Sequence, residues 1–163
     1  MICLDEMGPV ALKDYPATRW SPEECRPHFI PNYERRGKLW VYGAMEPATG
    51  EVPTTGYQGR SSQEMPAFLD SVDQHWPNGT VHVILDNLSS HKTFSVLLWV
   101  WGHQRFALHF QPPYAPWLNL IEPWWKPLKH LALDGSSYAD TEELTAAVAC
   151  ATEYWNARRH PYT

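Results

Sequence analysis

The run Thr80–Asp86 (TVHVILD) restricts the fold more than any other feature of the chain. It is nearly all apolar and ends in a carboxylate. A strand of that kind needs cover on both faces, which calls for a sheet sandwiched between helices. The flanking patterns supply that cover. On one side, Ser61-x-x-Glu64 is a capping-box pattern. It opens a stripe of Met65, Phe68, Leu69, Val72 and Trp76 at helical spacing, with Pro66 tolerable only in the first turn. On the other side, Lys92–Trp101 sets Phe94, Leu97, Leu98 and Trp101 at helical spacing, with Gly102 as C-cap. Arg105–Phe110 then alternates, with Phe106, Leu108 and Phe110 on one face.

The rest of the chain completes the order. Met1–Glu6 reads as a first strand, Lys38–Met45 as a second, and Glu46–Gly50 as a turn. Glu51–Tyr57 reads as the returning strand, at an edge because of Pro53. A helix is expected from Asn119 with Leu120, Ile121, Trp124, Trp125, Leu128 and Leu131 apolar, kinked or broken early at Pro127. Asp140-x-x-Glu143 opens a last helix to about Ala157, with Leu144, Val148, Ala151 and Trp155 on one face. Three strands in hairpin order followed by alternating helices and strands predict a mixed five-stranded sheet flanked by helices. This is an α/β arrangement in the ribonuclease H-like order.

A chain of 163 residues suits one domain, read here as 1–163 with a Pro-rich insertion at about 7–37. No run of apolar residues is long enough for a transmembrane helix, so no membrane partner is expected. Three widely spaced cysteines (Cys3, Cys25 and Cys150) do not read as a disulfide framework or a zinc ribbon, and a reducing cytoplasm is expected. The net charge of −5 argues against a strongly basic nucleic-acid binder.

The local charge map says something different. From Asp86 to Leu133 the acids are Asp86 and Glu122 alone, among Lys92, Arg105, Lys126, Lys129 and four histidines. The segment Lys13–Lys38 is slightly basic as well, and both stretches could face a phosphate backbone. Asp5, Asp86 and Glu122 come from three separate elements that one sheet can bring together. Phosphoryl-transfer sites use carboxylates because Mg²⁺ prefers hard oxygen ligands. Two such ions clamp the attacking and leaving oxygens of an in-line displacement. Taken singly, each acid also has a plainer reading. Spacing alone favours a helix cap for Asp86 and an Asn119-x-x-Glu122 capping box for Glu122. Glu6 reads as a solvated neighbour of Asp5, or as the ligand itself if the strand register differs by one. His91 alone reads as a surface or cap histidine, and the Trp124–Trp125 pair as core.

Together, Leu85-Asp86-Asn87 with Ser90-His91-Lys92, Leu108-His109-Phe110, and Tyr114-Ala115-Pro116-Trp117-Leu118-Asn119-Leu120-Ile121-Glu122 resemble the insertion-sequence transposases of the mariner superfamily, in their bacterial IS-six-thirty branch. Trp155-Asn156 and His160-Pro161-Tyr162 match how such chains end. The resemblance implies a DDE recombinase on a ribonuclease H-like fold. Asp5, Asp86 and Glu122 would then be the catalytic triad and the ligands of two Mg²⁺ ions, with Mn²⁺ as substitute. It further implies DNA cleavage at transposon ends and transfer of the freed 3′-hydroxyl into target DNA, at TA sites. A homodimer on DNA and a cytoplasmic, nucleoid-associated location go with it. Asn87, His91, Lys92, Asn119 and Lys126 are candidates for supporting the ligands or contacting DNA. Such transposases carry an N-terminal helix-turn-helix region, and only four residues precede Asp5 here. The expectation is therefore a catalytic domain without that region, served by an upstream-encoded DNA-binding module. Two alternatives stand beside this reading. One is an inactive remnant that only binds DNA or a partner transposase; the other is a different ribonuclease H-like nuclease.

Overall fold

The computed structural model describes residues 1–15, 37–113 and 115–162. Its five strands are β1 (Ile2–Ala11), β2 (Lys38–Met45), β3 (Thr54–Tyr57), β4 (Val81–Leu85) and β5 (Phe106–Phe110). They form one sheet in the order β3-β2-β1-β4-β5. β1 runs antiparallel to β2, and β2 to β3. β4 joins β1 in parallel and β5 joins β4 in parallel. This is the mixed five-stranded α/β sheet expected from the order of elements, consistent with a ribonuclease H-like fold.

Among the described residues, four α-helices cover the sheet: α1 (Glu64–His75), α2 (Phe94–Gly102), α3 (Trp125–Ala132) and α4 (Thr141–Asn156). β1 is buried on both faces, so its residues alternate between two cores. Ile2 and Leu4 join Tyr42, Val83 and Leu85 under Met65, Phe68, Leu69 and Val72 of α1. Cys3 and Met7 join Val41 and Met45 under Trp125 and Leu128 of α3 and Leu144 and Val148 of α4. The period of two along β1 therefore decides which layer each side chain meets.

Several sequence expectations need correction. The first strand does not end at Glu6 but continues to Ala11. Its pairing with β2 shifts between Met7 and Val10, where Gly8 and Pro9 sit, so a bulge rather than a loop absorbs the proline. Residues 16–36 of the expected insertion lie outside the described residues, as do Cys25 and Tyr114. The helix expected from Asn119 starts only at Trp125, after a 3-10 turn over Glu122–Trp124. Pro127 thus falls in the first turn of α3, where a missing N–H costs no helical hydrogen bond, and the helix runs on past it to Ala132.

The stripe expected to bury α2 is also wrong. Phe94 and Trp101 are 79% and 75% exposed, and Leu97 and Leu98 about half exposed; Val96 is buried instead. Trp99 packs with it, edge-on to Phe106. Almost every residue of α2 is apolar, so spacing could not choose the inner face.

Other expectations hold. Asp140 caps α4 by accepting from the N–H groups of Glu142 and Glu143, both at 2.9 Å, and the Glu143 carboxylate accepts from Ala139 N–H. The Ser61–Glu64 box is only half made: Glu64 reaches back to the N–H of Ser61, but α1 begins at Glu64 with Gln63 as N-cap and no side-chain cap, and Pro66 sits in its first turn. The C-terminal residues fold back onto the β2–β3 hairpin. Asn156 exchanges two hydrogen bonds with the backbone of Val52, and Trp155 Nε1 donates to the Gly50 carbonyl. No helix among the described residues is long and apolar enough to cross a membrane.

Candidate active site

The parallel β1–β4 register pairs Cys3 with Ile84. Carried two residues on, it sets Asp5 beside Asp86, one residue past the end of β4. Adjacent strands lie roughly 4.8 Å apart, so the two residues stand at one end of the sheet.

Asp5 is 7% exposed and its Oδ2 accepts from Trp125 Nε1 at 3.0 Å. The indole reaches it because residue 43, opposite Asp5 on β2, is glycine. A Cβ at Gly43 would lie 2.8 Å from the Trp125 ring and 3.0 Å from Ile121. Burial pushes the Asp5 carboxyl up to about 7; the Trp125 hydrogen bond opposes this and the charge of Glu122 adds to it. Trp125 is core, as expected, but it also holds a site carboxylate, a role that helical periodicity does not reveal.

Asp86 is anchored by its turn. Its Oδ1 accepts from Leu88 N–H at 3.1 Å and lies 2.8 Å from His91 Nδ1. Burial would raise its pKa, but the His91 and Leu88 hydrogen bonds outweigh that and leave it below the usual value. His91 is not a surface histidine. It is 1% exposed, and its Nε2 meets Glu6 Oε2 at 2.8 Å. Burial disfavours the imidazolium, yet the bonds to Asp86 and Glu6 win and raise its pKa to about 9. Glu6 is likewise not solvated. Alternation along β1 turns it to the opposite face from Asp5, where its side chain is 1% exposed and pairs with His91 and Arg60.

Glu122 begins the 3-10 turn ahead of α3 and is exposed. With Asp86, Asn87, Gln111 and Asn119 it lines a cleft of about 460 Å³ at the ends of β4 and β5. Asn119 does not form the side-chain half of a capping box. It is 1% exposed and its Nδ2 donates to the Leu4 carbonyl at 3.0 Å, tying the turn that bears Glu122 to β1. Its Oδ1 is buried with no partner among the described residues. Lys92 is exposed, with its ammonium over the Phe110 ring. Lys126 shares an adjoining hollow with Glu122, Lys129 and His130.

The carboxyls share one end of the sheet without closing on a single point. Among the described residues, no three His, Cys, Asp or Glu side chains are close enough to hold a metal ion. The donor chemistry still fits a hard divalent cation. Asp86 and Glu122 face one cleft, and the Asp5 pKa rises through burial and the charge of Glu122, a crowding that a cation relieves.

Comparison with known proteins adds an independent line. The chain is 29% identical over 92 residues to a Shigella sonnei protein described as "Insertion element IS630 uncharacterized 39 kDa protein". That match covers 56% of this chain and 27% of the relative, so it spans about a quarter of the relative's length. Residues 1–145, which carry Asp5, Asp86 and Glu122, match the family described as DDE superfamily endonuclease, and the chain belongs to that family.

Proposed function

We propose that residues 1–163 form the catalytic domain of a DNA transposase that cuts a strand at the ends of an insertion element and joins the freed 3′-hydroxyl to target DNA. The observation that supports this reading is the parallel β1–β4 register, which continued two residues past Cys3 and Ile84 would set Asp5 beside Asp86, together with a Glu122 turn bonded to β1 through Asn119. Asp5, Asp86 and Glu122 would hold two Mg²⁺ ions, or Mn²⁺ in their place, which when bound supply Lewis acidity and an activated water.

The chain's own residues do the remaining work. Asp86 stands fixed by Leu88 N–H and His91. Asn119 sets the height of the Glu122 turn over the cleft. Lys126 and Lys129, exposed beside Glu122, meet backbone phosphates, and Lys92 and Asn87 flank the path on the β4 side. In the first step water attacks phosphorus and the 3′-oxygen leaves. In the second, that 3′-hydroxyl attacks a target phosphodiester, at a TA step, and displaces its 3′-oxygen. Two copies on DNA would process the two ends.

The test is nicking of supercoiled plasmid in Mn²⁺ by the wild type and by Asp86→Asn. Nicking by the wild type that the substitution abolishes, with the circular dichroism spectrum retained, supports the proposal. Equal nicking by the variant overturns it.

A further inference from the structure

We propose that Glu6 and His91 act as a positioning pair that fixes the orientation of the Asp86 carboxylate. The proposal rests on the reading of Asp86 as a ligand-bearing residue and names two residues that serve it without facing the cleft.

The argument begins with Asp86 itself. Its side chain is 39% exposed. A half-exposed aspartate at a strand end samples several rotamers unless neighbours hold it, and a site needs one. The Leu88 N–H supplies one donor to Oδ1, as any Asx turn does. That bond alone would make Asp86 an ordinary turn residue and would need no histidine.

His91 adds what the turn lacks. The 3-10 turn Ser89–Lys92 carries it back under the strand end, closed by His91 N–H on the Leu88 carbonyl at 3.1 Å. Both ring nitrogens are then committed: Nδ1 lies 2.8 Å from Asp86 Oδ1, and Nε2 lies 2.8 Å from Glu6 Oε2. A ring so placed cannot rotate without losing both contacts. With Oδ1 holding two donors, Oδ2 is the oxygen left for the cleft.

Glu6 is in turn held from behind. Arg60 Nη1 reaches its other oxygen at 3.4 Å, and the Arg60 guanidinium lies over the Trp40 ring. The contacts therefore run Trp40, Arg60, Glu6, His91, Asp86, from the second strand to the site. A buried acid and a buried base kept in this arrangement carry a desolvation penalty that a purely apolar filling would avoid. Partners behind a ligand typically change metal affinity 10–100-fold when removed.

Two isosteric substitutions separate positioning from packing. An asparagine amide nitrogen stands near the place of imidazole Nδ1, and a glutamine amide nitrogen near Nε2. His91→Asn therefore keeps the contact to Asp86 and drops Glu6. His91→Gln does the reverse. Both go into the full chain and are read by Mn²⁺ calorimetry and by the NMR χ1 couplings of Asp86.

Positioning predicts that His91→Gln weakens Mn²⁺ binding by about 10–100-fold and averages the Asp86 couplings, while His91→Asn, which keeps the Asp86 contact but loses the Glu6 anchor, falls between that variant and wild type in both. Glu6→Gln, which keeps the volume of Glu6, should loosen the Asp86 couplings as well and serves if either His91 variant fails to fold. Equal behaviour of the Asn and Gln variants, or Asp86 couplings that ignore all three changes, overturns the proposal. Wild type that binds no Mn²⁺ while His91→Gln still averages the Asp86 couplings sinks the ligand reading of Asp86 and leaves the positioning pair standing.

Discussion

Asp5→Asn should make the metal-free protein more stable, and increasingly so as pH rises. The Asp5 carboxyl ionises near 3.8 in an unfolded chain and at about 7 in the fold, chiefly through burial. A raised folded-state pKa means that the native state holds its proton more tightly than the unfolded state. Stability from this group is complete below about pH 4 and is lost as pH climbs to about 7. The full span is about 3 pH units, or about 4 kcal/mol at about 1.4 kcal/mol per unit. Asparagine is neutral at every pH, and its side-chain oxygen can still accept from the Trp125 indole. The variant's stability relative to wild type should therefore rise by about 2.5 kcal/mol between about pH 5 and pH 8. Urea unfolding in chelator at the two pH values measures this. Other titrating groups are common to both proteins and cancel in the difference. Adding Mn²⁺ at the higher pH should recover stability in wild type and not in the variant, because the cation takes the place of the lost proton. A stability gap that stays flat with pH would refute the burial argument, whatever the metal does.

Two more substitutions test how the scaffold presents these groups. Gly43→Ala drives a methyl against the Trp125 ring and Ile121, an overpacking worth about 1–3 kcal/mol. The Trp125 indole N–H resonance should move as it leaves Asp5, and an unmoved resonance with unchanged stability would refute the close approach. Asp140→Ala removes the acceptor for two N–H groups of α4 and should cost about 1 kcal/mol in thermal unfolding, a loss that Asp140→Asn largely restores.

The order of elements was legible because most strands and helices carry their own pattern, and because Asp140 and Glu143 mark a helix start by local chemistry alone. Where the sequence misled, a second force overrode the local signal. Gly8 and Pro9 look like a loop, yet cross-strand pairing with β2 carries β1 past them as a bulge. Leu120, Ile121, Trp124 and Trp125 fit a helical stripe, yet the backbone turns more tightly until Trp125, and Pro127 then meets the rule that favours proline in a first turn. In α2 almost every position is apolar, so the inner face is chosen by contact with Phe106, a partner distant in sequence.

The site divides along the same line. Asp86 and Glu122 stand out in the sequence as two acids within a basic stretch. The pairing of Asp5 with Asp86 follows only from a parallel register, which no local pattern encodes. Glu6 is the instructive case. Beside Asp5 in sequence, it passes for a spare carboxylate or a substitute ligand. Strand alternation sends it through the sheet to the other layer, where Arg60 and His91 wait. The same period of two that turns Asp5 toward Trp125 turns Glu6 away from it and toward His91. Two adjacent acids thus reach Asp86 by different routes, one beside it across the parallel register and one behind it through an imidazole. A shift of β1 by a single residue would exchange their faces and leave a carboxylate buried against α1 without its base. Burying an unpaired charge is costly, so the Glu6–His91 contact also helps hold the register that sets Asp5 beside Asp86.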